Sequence, residues 1–73
     1  MKLDQLRTFQ QVALTRSFTK AARELFLTQP AVSQQIKGLE DSYGVTLFDR
    51  SGKSIELTAE GKALYSKINL LLN

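Results

Sequence analysis

Residues 17–36 read Ser17-Phe18-Thr19-Lys20-Ala21-Ala22-Arg23-Glu24-Leu25-Phe26-Leu27-Thr28-Gln29-Pro30-Ala31-Val32-Ser33-Gln34-Gln35-Ile36. Two helix starts are written into this stretch. Ser17 has the side chain of an N-cap and opens a short helix from about Phe18 to Phe26. Ala21, Ala22 and Leu25 are its inner positions, and the two small alanines let another helix cross closely. Thr28 is the second cap, with Pro30 in the first turn, where a missing N–H costs little. The helix it starts runs from about Gln29 to Ser42, and Gly44 is placed to stop it in a left-handed cap. So few residues join the two helices that they must meet at a steep angle, a helix-turn-helix layout.

Outward from this centre, Leu3, Leu6, Phe9, Val12 and Ala13 form a broad apolar face on a helix over residues 3–15. Beyond Gly44 the period changes. Val45 to Arg50 and Ile55 to Leu57 read as two short strands, with Ser51-Gly52-Lys53-Ser54 as the turn between them. Thr58 caps a last helix from about Ala59 toward Asn73. The expected fold is mainly α: a three-helix core, a short two-stranded wing and a long C-terminal helix. The expected division is a winged helix-turn-helix over residues 1–58 and the start of a linker or dimerisation helix over 59–73. The run Leu70-Leu71-Leu72 reads as the interior of a longer helix.

On a wheel at ~100° per residue, Val32, Ile36 and Leu39 of the central helix fall within ~60° of one another and point inward. Pro30, Ser33, Gln34 and Lys37 lie opposite, with Gln29 at the flank. An ordinary solvated face usually carries Glu and Lys. This one carries amides, a hydroxyl and a single cation. Amide side chains offer donor and acceptor together to a base edge, Ser contacts several bases, and Lys reaches phosphate or guanine. The bland alternative is a merely polar surface helix. In the wing, Arg50 precedes the turn and Lys53 sits within it, where cations can follow phosphates or reach a minor groove. Ser17, Thr19, Lys20, Thr28 and Thr58 lie near helix starts and can donate to phosphate, although capping alone accounts for Ser17, Thr28 and Thr58. In the last helix Leu64, Ile68 and Leu71 make an apolar stripe beside Tyr65 and Leu72, with Gly61 on the same side. Such a stripe reads either as a dimerisation surface or as packing against the first helix.

Composition narrows the function classes. The chain has 73 residues, no Cys and no His. Disulfides, thiol nucleophiles, imidazole chemistry and Cys/His metal sites are excluded, and the carboxylates are scattered rather than clustered. No catalytic residue, metal or cofactor is expected. The formal charge is +3, and residues 1–40 hold six Lys/Arg against three Asp/Glu, whereas residues 41–73 hold four against four. The excess in the first half leans toward a polyanion. With no signal peptide and no apolar run of membrane-spanning length, the chain is expected to be cytoplasmic and not membrane-bound.

The motifs together form an ordered set. Leu6-x-x-Phe9-x-x-Val12-Ala13 precedes Ser17-Phe18-Thr19-x-Ala21-Ala22-x-x-Leu25, then Thr28-Gln29-Pro30-Ala31-Val32-Ser33-x-Gln35-Ile36 and Leu39-Glu40. Gly44-Val45-x-Leu47-Phe48-x-Arg50 and Leu57-Thr58-x-x-Gly61 follow. This set resembles the amino-terminal winged helix-turn-helix domain of bacterial LysR-type transcriptional regulators over nearly the whole chain. Tyr43 stands where an aliphatic residue is more usual, and Lys53-Ser54 falls in a variable region; neither disturbs the resemblance.

The resemblance implies sequence-specific binding to an interrupted inverted repeat in double-stranded DNA. It implies a homodimer joined through the last helix, tetramers of the whole protein, and a small-molecule inducer held by an effector domain outside this chain. By motif, Gln29, Pro30, Ser33 and Gln34 would face bases. Ser17, Thr19, Thr28 and Lys37 would hold phosphates, Arg50 would lie in or beside the minor groove, and Thr58 would touch phosphate as well as cap. The other readings are a winged helix that docks protein or RNA, and a small enzyme, which would need a nucleophile–base pair or paired carboxylates in a pocket.

Overall fold

The computed structural model of the chain describes residues 3–72. Its elements are α1 (Leu3–Thr15), α2 (Phe18–Leu25), α3 (Gln29–Tyr43), β1 (Phe48–Asp49), β2 (Glu56–Leu57) and α4 (Ala59–Leu72). The expected caps are in place. Ser17 accepts from the Lys20 amide at 3.0 Å, and Thr28 accepts from the Ala31 amide at 3.2 Å. Gly44 ends α3 at φ 68°, its N–H donating to the Glu40 carbonyl. Two other left-handed positions carry side chains, Arg16 after α1 at φ 56° and Phe26 after α2 at φ 59°. Phe26 therefore caps α2 from outside it, almost fully exposed, rather than ending it as a helical residue.

α1, α2 and α3 pack on one another, and α4 lies against α1 and β2. The core joins Phe9 and Val12 of α1, Phe18, Ala21 and Ala22 of α2, and Val32, Ile36 and Leu39 of α3. Leu47, Phe48 and Ile68 close it from the wing and α4. Burying a side chain such as Ile36 or Leu39 stabilises by about 1.5–3 kcal/mol, and both have no exposed surface. Ala21 and Ala22 are both buried, in keeping with small inner positions on a helix that packs against α1 and α3. Thr8 is buried too, and donates its hydroxyl hydrogen bond to Gln35 of α3. Leu3, expected on the apolar face of α1, is 54% exposed at the helix start.

The wing is shorter than the sequence suggested. Its two antiparallel strands have two residues each, pairing Phe48 with Leu57 and Asp49 with Glu56. The reason lies in where the preceding backbone donors go. The Val45 amide donates to the Glu40 carbonyl at 3.2 Å. The Leu47 amide donates to the Glu40 carboxylate at 2.7 Å, and the Phe48 amide does so at 3.4 Å. The Val45 and Leu47 amides thus serve the end of α3, and the ladder begins only at Phe48. Asn73, the expected end of the last helix, lies outside the described residues.

Candidate nucleic-acid interface

α3 buries one face completely and leaves the other to solvent. Val32, Ile36 and Leu39 hold it to the core, so Gln29, Pro30, Gln34 and Lys37 are exposed and Ser33 is half-buried beside them. Gln29 donates from Nε2 to the Ser33 hydroxyl at 3.1 Å. This (i, i+4) pair orders the first turn while leaving the Ser33 proton and the Gln29 carbonyl oxygen for an outside partner. Lys37 pairs with Asp41 at 3.3 Å, both side chains being well exposed. Such a surface pair is weak and readily exchanged for a phosphate. Gly38 of the same helix is turned to α1: a Cβ there would meet Gln5 Nε2 at 2.9 Å.

The hydroxyls near helix starts divide into two kinds. Ser17 and Thr28 accept from backbone amides, and among the described residues neither gives its own proton away. Each can cap and donate at once. Thr58 differs. It accepts from the Gly61 amide at 3.0 Å and donates to the Thr46 carbonyl at 2.6 Å. Its single proton is committed, so the expected phosphate contact of Thr58 gives way to a structural one. Thr19 is exposed on α2.

The wing carries Lys53, exposed in the loop over residues 50–55. Asp49 accepts from both the amide and the hydroxyl of Ser51, at 2.9 and 2.6 Å. Those two bonds hold its carboxyl below the usual carboxylate range. Arg50 does not extend toward the tip. Its guanidinium carbon sits 3.9 Å from the centroid of the Phe18 ring. Phe18 in turn meets Phe48 edge-on at 5.9 Å. Nothing in the local sequence signals a contact between positions so far apart, and the same holds for the Glu40 carboxylate at the wing base.

The apolar stripe of α4 is largely consumed within the chain, which corrects two members of the dimerisation set. Ile68 is 1% exposed and belongs to the core. A Cβ on Gly61 would lie 2.2 Å from the Leu47 carbonyl oxygen, so this glycine admits the wing base rather than a second helix. Leu64, Tyr65 and Leu72 are half-buried against the same core, Tyr65 meeting Phe9 edge-on at 6.4 Å. Leu71 is 77% exposed, and so is its neighbour Leu70, at 83%. Among the described residues no group of His, Cys, Asp and Glu can hold a metal, and no helix is long and apolar enough to cross a membrane.

This geometry has close counterparts. The family model described as "Bacterial regulatory helix-turn-helix protein, lysR family" matches residues 3–62. The RuBisCO operon transcriptional regulator of Allochromatium vinosum is 49% identical over 65 residues, covering 89% of this chain and 22% of its own. The glycine cleavage system transcriptional activator of Escherichia coli K12 is 52% identical over 66 residues, covering 90% of this chain and 22% of its own. The chain thus spans about a fifth of the length of these two curated relatives. Among solved structures, the BenM DNA-binding domain in complex with benA site 1 DNA matches with a TM-score of 0.95 and 40% identity, over 99% of this chain and 81% of that one. With the helix-turn-helix, wing and C-terminal helix arranged as in that domain, the chain belongs to the LysR family of bacterial regulatory helix-turn-helix proteins.

Proposed function

We propose that this chain is the DNA-reading part of a bacterial transcriptional regulator, placing α3 in the major groove of a specific duplex sequence. The observation that carries this reading is the α3 surface: its apolar face is filled, and its outward face presents Gln29, Pro30, Ser33 and Gln34. Amides with paired donor and acceptor suit adenine edges, and a hydroxyl with a free proton suits several bases. Ser17, Thr19, Thr28 and Lys37 would hold phosphates around that helix, with Arg50 and Lys53 contributing from the wing. No step of this function calls for catalysis or a cofactor.

The domain of residues 1–58 would do the reading, and residues 59–73 would begin a longer linker helix. Two copies would meet through the exposed end of α4, chiefly Leu71 with Leu64, Tyr65 and Leu72 at its flank, and read an interrupted inverted repeat. In the cytoplasm, the whole protein would assemble further, as a tetramer, and answer a small-molecule inducer through its effector domain.

The test is to incubate the chain with a random duplex DNA pool and sequence what is retained. Enrichment of an inverted repeat is the expected outcome. No retention even at low salt would overturn the reading, and preference for an RNA pool would favour the RNA-docking alternative. On the enriched site, Gln34→Ala should relax preference at one position by about 1–3 kcal/mol.

A further inference from the structure

Among the described residues Arg16, Lys37 and Arg50 each make a close side-chain contact, and of these three only Arg50 does so without a carboxylate. Arg16 pairs with Glu56 at 3.6 Å, and Lys37 pairs with Asp41 at 3.3 Å. Arg50 instead lies over the ring of Phe18 at 3.9 Å. Among the described residues it has no ion pair, and its guanidinium makes no hydrogen bond. Its N–H donors, five in a planar fork, are therefore all available while its position is fixed. The platform is rigid. Phe18 is 5% exposed and packs against Phe48 at 5.9 Å, which packs against Phe9 at 5.2 Å. Arg50 is the outer end of an aromatic column that starts in the core.

The place where it is held also matters. Phe18 is the first residue of α2, between Ser17 and Thr19, so the guanidinium is drawn back from the wing tip to the start of that helix. We infer that Phe18 is a positioning residue for DNA binding: its ring holds the Arg50 guanidinium beside the start of α2, where it grips a backbone phosphate instead of entering the minor groove. This rests on the duplex-binding reading above and gives Arg50 a more definite role within it. A guanidinium face stacked on an aromatic ring keeps its edge free, and it is the edge that makes two parallel hydrogen bonds to phosphate. Lys53 is then left as the cation of the wing tip.

The experiment measures affinity against salt concentration on the duplex enriched from the random pool, for the wild type, Arg50→Ala, Arg50→Lys, Phe18→Leu, Phe18→Tyr and the double variant Phe18→Leu/Arg50→Lys. Arg50→Ala should reduce the salt slope by about one and weaken specific and random duplex alike. Arg50→Lys keeps the charge and so the slope, but loses the stacked fork and should bind about fivefold more weakly. Phe18→Leu should cost a similar factor, Phe18→Tyr should restore binding, and the double variant should be no worse than the poorer single one. Arg50→Lys leaves the core untouched, so it remains decisive even where Phe18→Leu fails to fold. Wild-type affinity for Arg50→Lys, additive penalties in the double variant, or loss confined to A·T-rich sites would overturn this inference while the duplex-binding reading stood. Absence of duplex binding by the wild type would overturn both.

Discussion

α3 and α4 are helices of nearly equal length with opposite relations to the rest of the chain. α3 spans 15 residues and brings Val32, Ile36 and Leu39 to complete burial, leaving a polar outer face. α4 spans 14 residues and buries only Gly61 and Ile68, while Leu70 and Leu71 stand in solvent. One helix is finished by its own chain. The other is finished at its first three turns and open at its end. The difference separates two uses of apolar residues that look alike in sequence: those that build a fold and those left over once it is built.

The comparison can be broken most severely at Ile68. Ile68→Glu places an unpaired carboxylate in the core and should cost about 4 kcal/mol or more, enough to unfold a domain of this size. Urea denaturation followed by circular dichroism reads this directly. An unchanged midpoint would return Ile68 to the free surface. Ile36→Ala tests the finished helix, and should cost about 3 kcal/mol through lost burial and a residual cavity. The two N-caps sharpen the contrast further. Thr58 makes two bonds and Thr28 one. Thr58→Ala should therefore cost about 2 kcal/mol and Thr28→Ala about 1 kcal/mol, and equal costs in thermal melts would mean that the Thr46 bond contributes nothing. The smallest effect belongs to Leu71→Glu. It should move monomer stability by less than about 0.5 kcal/mol, and a larger loss that does not change with chain concentration in the same urea experiment would show that the end of α4 is part of the monomer core.

What the sequence made legible follows the range of the interactions. α2 and α3 are set by Ser17, Thr28, Pro30 and Gly44, all within one turn of the helix ends they define, and by a period that places Val32, Ile36 and Leu39 inside. The outward set on α3 follows from the same wheel. The stripe on α4 was visible too, but periodicity marks an apolar face without saying what covers it. Ile68 is covered by the three-helix core, and Gly61 is pressed against a carbonyl of the wing base. β1 starts later than the residue pattern implies because the Glu40 carboxylate of α3 takes the Leu47 amide that a longer ladder would use. The seat of Arg50 on Phe18 joins positions more than thirty apart and leaves no local trace.

The bond from Glu40 has a consequence for docking. Its carboxylate fastens the end of α3 to the amides of Leu47 and Phe48, where the wing begins. The relative orientation of reading helix and wing base is thus settled when the chain folds. Less conformational entropy remains to be lost when the two engage a partner together, and a contact made by one is made with the other already in place.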